Sequence, residues 1–447
     1  MAVIDSSMSA SGSRLRSLVN RIRAEYSAVP MLGWLIAALV AVFLEQLIGT
    51  PLARALGMSK MPVLFGFSIM LNDPVLIPGA LLYVILIYIL PIAVIARVGA
   101  SLVNWLAAKM LSIHMIVSVI VHLALLYATL HVWAQGPESV EYRLLVARLA
   151  LIMVMVTLSL NVVNGYMGEF SCSHPGFMAL GAYMASVFTV FLFVQDNTFG
   201  APVLPAGLGQ VLFPVGLILA GLVSAAGALL VAIPSFRTRG DYLAIISLAF
   251  MFIIKSLFEN LEFVGGARGL GGQPDWAGLP TVFIWTVLCI WTINNFVRST
   301  VGKALNAVRD GELAADAMTV NTSRTKMMAF LFAAFWAGLA GGLFAHVLRY
   351  VNPGTFDLKM LAQVLAMVYF GGLNSVVGSI VGATGYSLLS EALRPLELWK
   401  WIIIPVLLIL VMVFRPTGLI AFREFNIEKL LEPRGTTPGG SSLPESE

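Results

Sequence analysis

Charge is scarce in this chain. Of its 447 residues only 11% are Asp, Glu, Lys or Arg and 59% are hydrophobic, where soluble domains carry about a quarter charged residues. With a mean hydropathy of +0.91, that imbalance excludes a water-soluble globule and leaves an integral membrane protein. At about 20 apolar residues per helical crossing, the length holds roughly ten to twelve spans and no soluble catalytic domain.

Cysteine is equally scarce. Cys172 and Cys289 are too few for a disulfide framework, and neither stands at metal-ligand spacing from a histidine. The phosphate-cradling G-x-x-x-x-G-K-[ST] loop is missing: the single Gly-Lys pair, Gly302-Lys303, has Val297 where that loop needs its first glycine. No convergent His, Asp and Ser cluster points to an enzyme. No chain of His, Asp and Glu at helical spacing suggests a proton relay. The net charge of +4 does not mark a nucleic-acid binder, because the basic residues sit in short stretches between apolar runs, where they set orientation.

What the chain has is apolar runs of crossing length. They fall near 31–49, 75–96, 113–134, 145–164, 175–194, 211–233, 242–262, 279–297, 327–348, 376–393 and 401–414, with a weaker, Gly-rich candidate at 359–375. The fold class is therefore an all-α polytopic bundle of about 10–12 transmembrane helices. Counted as twelve from an inside start, the spans place the basic stretches 97–109, 237–239, 298–326 and 415–434 on the cytoplasmic side, so both termini are expected inside. Segments 195–210, 263–278, 349–358 and 394–400 then lie outside. The expected domains are a polar, basic cytoplasmic leader over 1–28, a membrane extension over 29–112, a core over 113–423 with a cytoplasmic loop at 298–326, and a disordered tail over 424–447.

Two interrupted segments stand out. In Asn161-Val162-Val163-Asn164-Gly165-Tyr166-Met167-Gly168-Glu169-Phe170-Ser171-Cys172-Ser173-His174-Pro175-Gly176-Phe177 a helix arrives, glycines and Pro175 interrupt it, and a new helix begins. The run around Gly371-Gly372 repeats the theme. Each break reads either as a tight turn, with His174 capping or bonding locally, or as interrupted backbone lining a path, which at membrane depth requires protein or water to satisfy it. On the second reading Asn161, Gly165, Ser171, His174, Gly371 and Gly372 are substrate-path candidates, since freed backbone groups bind the polar ends of a small zwitterion. The likeness of 161–186 to 367–390 reads as an internal repeat or as glycines packing helices.

The stretch 298–326 is too polar to cross. Between Gly302 and Met318, the residues Ala304, Ala307, Val308, Ala314, Ala315 and Met318 line one side of a short helix and leave Arg309, Asp310, Glu312 and Asp316 to solvent. Such a helix either docks into a partner's groove or lies on anionic lipid. Within the spans, Lys255 and Glu259 pair at i,i+4, and Glu262, Glu45, His114, His122 and His346 are further ionisable candidates. Local pairing or snorkelling is the commoner role for such groups.

The pattern N-x-x-x-G-Y-x-G-x-x-S-x-x-H-x-x-F-x-x-x-G-A-Y from Asn161 to Tyr183 resembles the opening signature of the branched-chain amino-acid ABC permease family, its LivM-type half in particular. Arg239-Gly240-Asp241-Tyr242-Leu243-Ala244-Ile245, then Gly265-Gly266 with Gly269, then Gly302-Lys303-Ala304-Leu305 through Ala329-Phe330, and Arg415-Pro416-Thr417-Gly418-Leu419 follow in the family's order. The resemblance covers roughly 146–423. It implies an importer subunit in the cell inner membrane that moves branched-chain or related amino acids. The implied partners are a second similar permease, two ABC ATPase subunits that use ATP, a periplasmic binding protein and lipid, with no nucleic acid and no cofactor on this chain. It also implies ATPase coupling through Gly302, Ala304, Ala307, Val308, Arg309, Glu312 and Ala315. Three departures bear on the solute. Phe252 stands where the family often has an acidic residue, Gly371-Gly372-Leu373-Asn374-Ser375 replaces G-G-x-G-S, and Thr319 replaces a glycine. Urea or short amides are the alternative solutes. The alternative mechanism is an ion-coupled carrier or channel for a small polar solute, resting on Lys255, Glu259 and His122.

Overall fold

A computed structural model describes residues 26–58, 74–136, 140–195, 200–236, 242–394, 399–415, 418–420 and 425–434. Most of the expected leader, the basic stretch 237–239, Gly240 and Asp241 of the second motif, Pro416 and Thr417 of the last, and the tail beyond 434 lie outside the described residues. The protein is all-α: among the described residues the only strands are the two-residue pair β1 (Leu270–Gly271) and β2 (Tyr350–Val351).

Nine helices among the described residues are long and apolar enough to cross a membrane. They are α1 (Met31–Ala55), α2 (Ile77–Val98), α4 (Met115–Ala134), α5 (Val140–Met167), α6 (His174–Phe193), α7 (Gly209–Ser235), α8 (Tyr242–Asn260), α9 (Leu279–Arg298) and α12 (Thr322–Leu348). Shorter helices are α3 (Ala100–Ile113), α10 (Thr300–Asp310), α11 (Glu312–Ala317), α13 (Leu358–Gly371), α14 (Val376–Ala392), α15 (Lys400–Phe414) and α16 (Ile427–Leu431). The stretch 97–109, expected as a loop, is largely helix α3. At 1.5 Å per residue its 14 residues span about 21 Å, short of a hydrocarbon core of about 30 Å.

The chain forms two compact units, one running up to Arg143 and resuming at Asn426, the other Leu144–Phe425. The division falls after Arg143 and not at 112, because α4 packs on α1 and belongs with the extension. Residues 424–447 are not tail throughout, since α16 is capped by the Asn426 side chain, which accepts from the Glu428 amide at 3.0 Å, and buries Leu431.

The first unit is pinned by a buried ion pair. Arg143 Nη2 donates to Glu45 Oε1 at 2.9 Å with both side chains essentially without exposure, and Arg143 Nη1 donates to the Trp133 carbonyl at 3.2 Å. The guanidinium also lies 5.5 Å from the Trp133 ring centroid. Glu45, a span ionisable in the sequence, is thus a structural partner.

In the second unit α6, α7 and α12 cross at small residues. A Cβ on Gly181 would run into the Gly338 carbonyl, one on Gly338 into Ser224, and one on Gly341 into the Met178 carbonyl. Backbones therefore touch directly, the close approach that only small residues allow within a membrane. Ser224 adds a bond from its hydroxyl to the Phe177 carbonyl at 2.9 Å.

The weak candidate span at 359–375 is not one helix. It ends at Gly371, and Gly372 and Asn374 take positive φ of 121° and 56° before α14 begins. The 14 and 17 residues of α13 and α14 reach about 21 and 26 Å, so each is shorter than a crossing. They pack on each other where a Cβ on Gly371 would enter the Gly378 carbonyl and one on Gly382 the Met367 carbonyl.

The ion pair generates a test. Arg143→Met leaves Glu45 buried without its partner and costs about 3–5 kcal/mol, read as a lower unfolding temperature in detergent. The double variant Glu45→Leu with Arg143→Met recovers most of the loss. A single variant as stable as the parent would contradict the pinning role.

Candidate functional site

The interruption in α5 is internal. Its α-helical bonding ends at Asn161, the turn widens to π geometry over Val162–Met167, and Gly168 at φ 76° closes it in the left-handed region. Residues 161–167 and 171–177 are buried, and only Gly168 to Phe170 approach the surface. A tight exposed turn is thus replaced by a break sunk in the bundle.

The two breaks meet. Asn161 Oδ1 accepts from the Asn374 amide at 3.2 Å, and its Nδ2 donates to the Ser375 carbonyl at 3.1 Å and the Ser379 hydroxyl at 2.7 Å. A Cβ on Gly165 would lie 2.6 Å from the Asn374 amide nitrogen, so this position admits only glycine at the present spacing. The carbonyls at the end of α13 are also satisfied: Leu419 and Ile420 donate to Phe370 and Gly371 at 3.1 and 2.9 Å.

Further polar groups surround this junction. Asn164 Oδ1 accepts from the Ser171 amide at 3.2 Å, Ser171 and Ser173 hydroxyls lie 2.9 Å apart, and the Cys172 amide donates to Ser247 at 2.9 Å. His174 is fully buried, and neither ring nitrogen has a partner in hydrogen-bonding geometry, although the Ser159 carbonyl acts on the ring. It stands edge-on to Phe177 with centroids 5.8 Å apart, so it does not cap the turn. All four α5–α6 candidates, Asn161, Gly165, Ser171 and His174, belong to this one region, and Gly371 and Gly372 border it. The side chains of the junction itself are polar and uncharged, and the Arg309 guanidinium reaches its edge at the Gly165 carbonyl. Among the described residues no group of His, Cys, Asp and Glu is arranged to hold a metal ion.

The coupling stretch is two helices, not one. Gly311 separates α10 from α11, because its extended backbone at φ −177° ends the first helical ladder. Gly302, Leu305, Val308 and Ala315 are buried, Ala304 is half-buried, and Ala307, Ala314 and Met318 face out. The expected apolar side is thus divided between an inner face and an outer one, on which Leu313 and Met318 are 73% and 76% exposed. The stem of Arg309 lies over Gly168 where a Cβ would stand, its guanidinium reaches the Gly165 carbonyl at 3.5 Å, and it pairs with Asp310 at 2.8 Å. Lys326 Nζ meets Glu169 Oε1 at 2.7 Å and Glu312 Oε2 at 2.9 Å. A cavity of about 790 Å³ adjoins them, lined in part by Asp316, Thr319 and Asn321.

The sequence pattern missed Asn374, Ser375, Ser379 and Lys326 as site residues. Asn374-Ser375 stands visibly in a break, but nothing local pairs it with Asn161. The ionisable residues of a carrier are dispersed. Lys255 and Glu259 form a part-exposed i,i+4 pair at 3.9 Å, His122 Nδ1 meets the Ser118 carbonyl at 2.7 Å, and His346 sits between the Gly342 carbonyl and Thr189 at 2.8 and 2.9 Å. His114 caps α4 by accepting from the Ile116 amide.

A family model described as the branched-chain amino acid transport system permease component matches residues 142–413. The high-affinity branched-chain amino acid transport system permease protein LivM of Salmonella typhimurium is 31% identical over 314 residues, 62% of this chain and 69% of that protein. LivM of Escherichia coli is 30% identical over 310 residues with the same coverage. The permease protein BraD of Pseudomonas aeruginosa is 26% identical over 178 residues, 38% of this chain and 55% of that protein. No solved structure matches.

Burial pushes the Cys172 thiol above its ordinary value, against a Ser247 hydroxyl that acts the other way. In a Cys289→Ser background, maleimide labelling of Cys172 is therefore slow at neutral pH and accelerates as pH rises past about 8.5, the ordinary thiol value. Gly165→Ala forces α5 away from Asn374, costs about 1–3 kcal/mol and speeds that labelling. Unchanged labelling and stability would refute the close packing. Thr319, which takes φ 68° where the family resemblance implies glycine, supplies a second test: Thr319→Gly relieves the left-handed strain and raises stability by up to about 1 kcal/mol, measured by thermal unfolding.

Proposed function

From the premise that the chain belongs to the branched-chain amino acid transport permease family, we propose that it moves branched-chain or related amino acids into the cytoplasm. It is the multi-pass permease of an ABC importer. The subunit works in the cell inner membrane beside a second permease of similar kind, with two ATPase subunits on its cytoplasmic face and a periplasmic binding protein delivering the solute. It makes and breaks no covalent bond; ATP is used by the partner subunits.

The observation that carries this reading is the fastening of a polar double break to an amphipathic loop. Asn161 joins the breaks, and Arg309 and Lys326 tie the loop to the same segment. Solute passes the junction lined by Asn161, Gly165, Ser171, His174, Gly371 and Gly372 when the two breaks part, so that the amide, hydroxyl and backbone groups that bond one another across it in this structure turn to the two ends of a zwitterion. The ATPases engage the outer face of α10 and α11, at Ala307, Leu313 and Met318, in a groove on their own surface. Gly302, Ala304, Val308, Glu312 and Ala315 hold that face in position. The nine long helices cross, and α15, though only 15 residues long, is read as the tenth crossing because the basic residues that follow it, Arg415 to Arg434, belong inside, while the α13–α14 pair enters and returns on one side. Ten crossings keep both termini in the cytoplasm and put the β1–β2 ribbon outside, where the binding protein docks.

The test is gentle purification of the tagged chain from its native membrane, with mass spectrometry of what remains bound after a moderate salt wash. ATPase chains and a second permease are the expected companions. Leu313→Glu, at an exposed position, lowers ATPase recovery about tenfold, the effect of losing about 1.4 kcal/mol, and leaves the unfolding temperature in place. Recovery of the chain alone, moving solute in vesicles without ATP, would overturn the importer reading and favour the carrier.

A further inference from the structure

We propose that Lys326 is the positioning residue that passes movement of the coupling loop to the break in α5. The inference rests on the importer reading above and assigns the link inside it. Lys326 sits in the first turns of α12 with its side chain 9% exposed, and its ammonium stands between two carboxylates from different segments. Glu312 is the first residue of α11, on the loop that the ATPases engage. Glu169 lies in the short connection between the π turn of α5 and α6.

Glu169 is more than an anchor for the ammonium. Its amide donates to the Val163 carbonyl at 3.2 Å, so displacing Glu169 pulls on the backbone bonding that holds 162–167 in its widened turn. One residue away Gly168 lies under Arg309, and Gly165 lies against Asn374. A continuous line of contacts therefore runs from Glu312 through Lys326 and Glu169 to the junction of the two breaks.

The geometry also supplies a fixed point. α12 is locked against α6 and α7 by backbone contact at Gly338 and Gly341, so Lys326 stands on a helix that cannot slide without separating three packed backbones. The cavity beside Glu169, Glu312 and Lys326 gives α11 room to move relative to that post. Because the ammonium compensates both carboxylates in a mostly buried position, its removal leaves two like charges at one place, and the segments separate. A lone exposed pair transmits little; here Lys326 and Glu169 are mostly buried and hold the geometry, while the half-exposed Glu312 is the leg the loop can shift.

The experiment uses the whole importer, this chain with its second permease, ATPases and binding protein, reconstituted in vesicles. Uptake of a branched-chain amino acid and ATP hydrolysis are measured in the same sample. Lys326→Met is expected to move about tenfold less solute per ATP while the ATPase chains still co-purify, and Lys326→Arg to stay within about twofold of the parent. Glu312→Gln, at a half-exposed side chain where folding is not at stake, is expected to lose about threefold. If Lys326→Met fails to accumulate, Glu312→Gln and Lys326→Arg decide. An unchanged ratio in Lys326→Met or Glu312→Gln, or Lys326→Arg no better than Lys326→Met, overturns the inference while leaving the importer intact. An unsubstituted chain that transports without ATPases overturns the importer reading instead.

Discussion

Backbone amides and carbonyls freed inside hydrocarbon must be bonded by the protein itself, and the side chain of Asn161 meets that demand for two helices at once. Its carboxamide accepts from the Asn374 amide and donates to the Ser375 carbonyl, so the α13–α14 pair does not close its interruption alone, whereas the break in α5 is bonded within its own segment by the Glu169 amide and the Asn164 side chain. Gly165 and Gly372 supply the room, and Leu419 and Ile420 take up the last carbonyls of α13. The side chains that join the two breaks are polar and uncharged, and the one formal charge the structure places at their edge is the Arg309 guanidinium at the Gly165 carbonyl.

Around that junction the second unit divides into a rigid part and a part that can be driven. Close approach of α6, α7 and α12 at Gly181, Gly338 and Gly341, with Ser224 bonded to the Phe177 carbonyl, leaves little side chain between them, so those helices hold together. The loop of α10 and α11 packs against α12, α9 and the π turn of α5, with Leu305, Val308 and Ala315 buried and charged contacts at Arg309 and Lys326. Its buried residues hold it in register, and the two basic side chains join it to Gly165 and Glu169.

The first unit uses a charge differently. Glu45 and Arg143 are buried as a pair, with the Trp133 carbonyl accepting a further bond from the guanidinium. Ionisable residues within spans are functional candidates by default, yet here the pair serves as a structural pin, and the same holds for His122, bonded within its own helix, and for His346, bonded to Gly342 of its own helix and to Thr189 of α6. Charge at membrane depth in this protein is mostly compensated charge, and the charges poised to act lie at the bundle's end.

Chain length and apolar runs by themselves determined that the protein is an all-helical membrane protein, and motif spacing that its sequence holds no G-x-x-x-x-G-K-[ST] loop, because hydropathy and motif spacing are local properties. The break at Asn161 and the amphipathic stretch after Gly302 were legible for the same reason. The pairing of Asn161 with Asn374 to Ser379, more than two hundred residues away, was not, since no local pattern records which carbonyl a carboxamide will find. Lys326 read as one more basic residue at a span's end until folding set it between Glu169 and Glu312. The run at 359–375 had the composition of a weak span, and only packing against α14 decided that it stops at Gly371. Tertiary structure decided these points because each depends on groups brought together from separate helices, and burial there makes every polar group's partner obligatory.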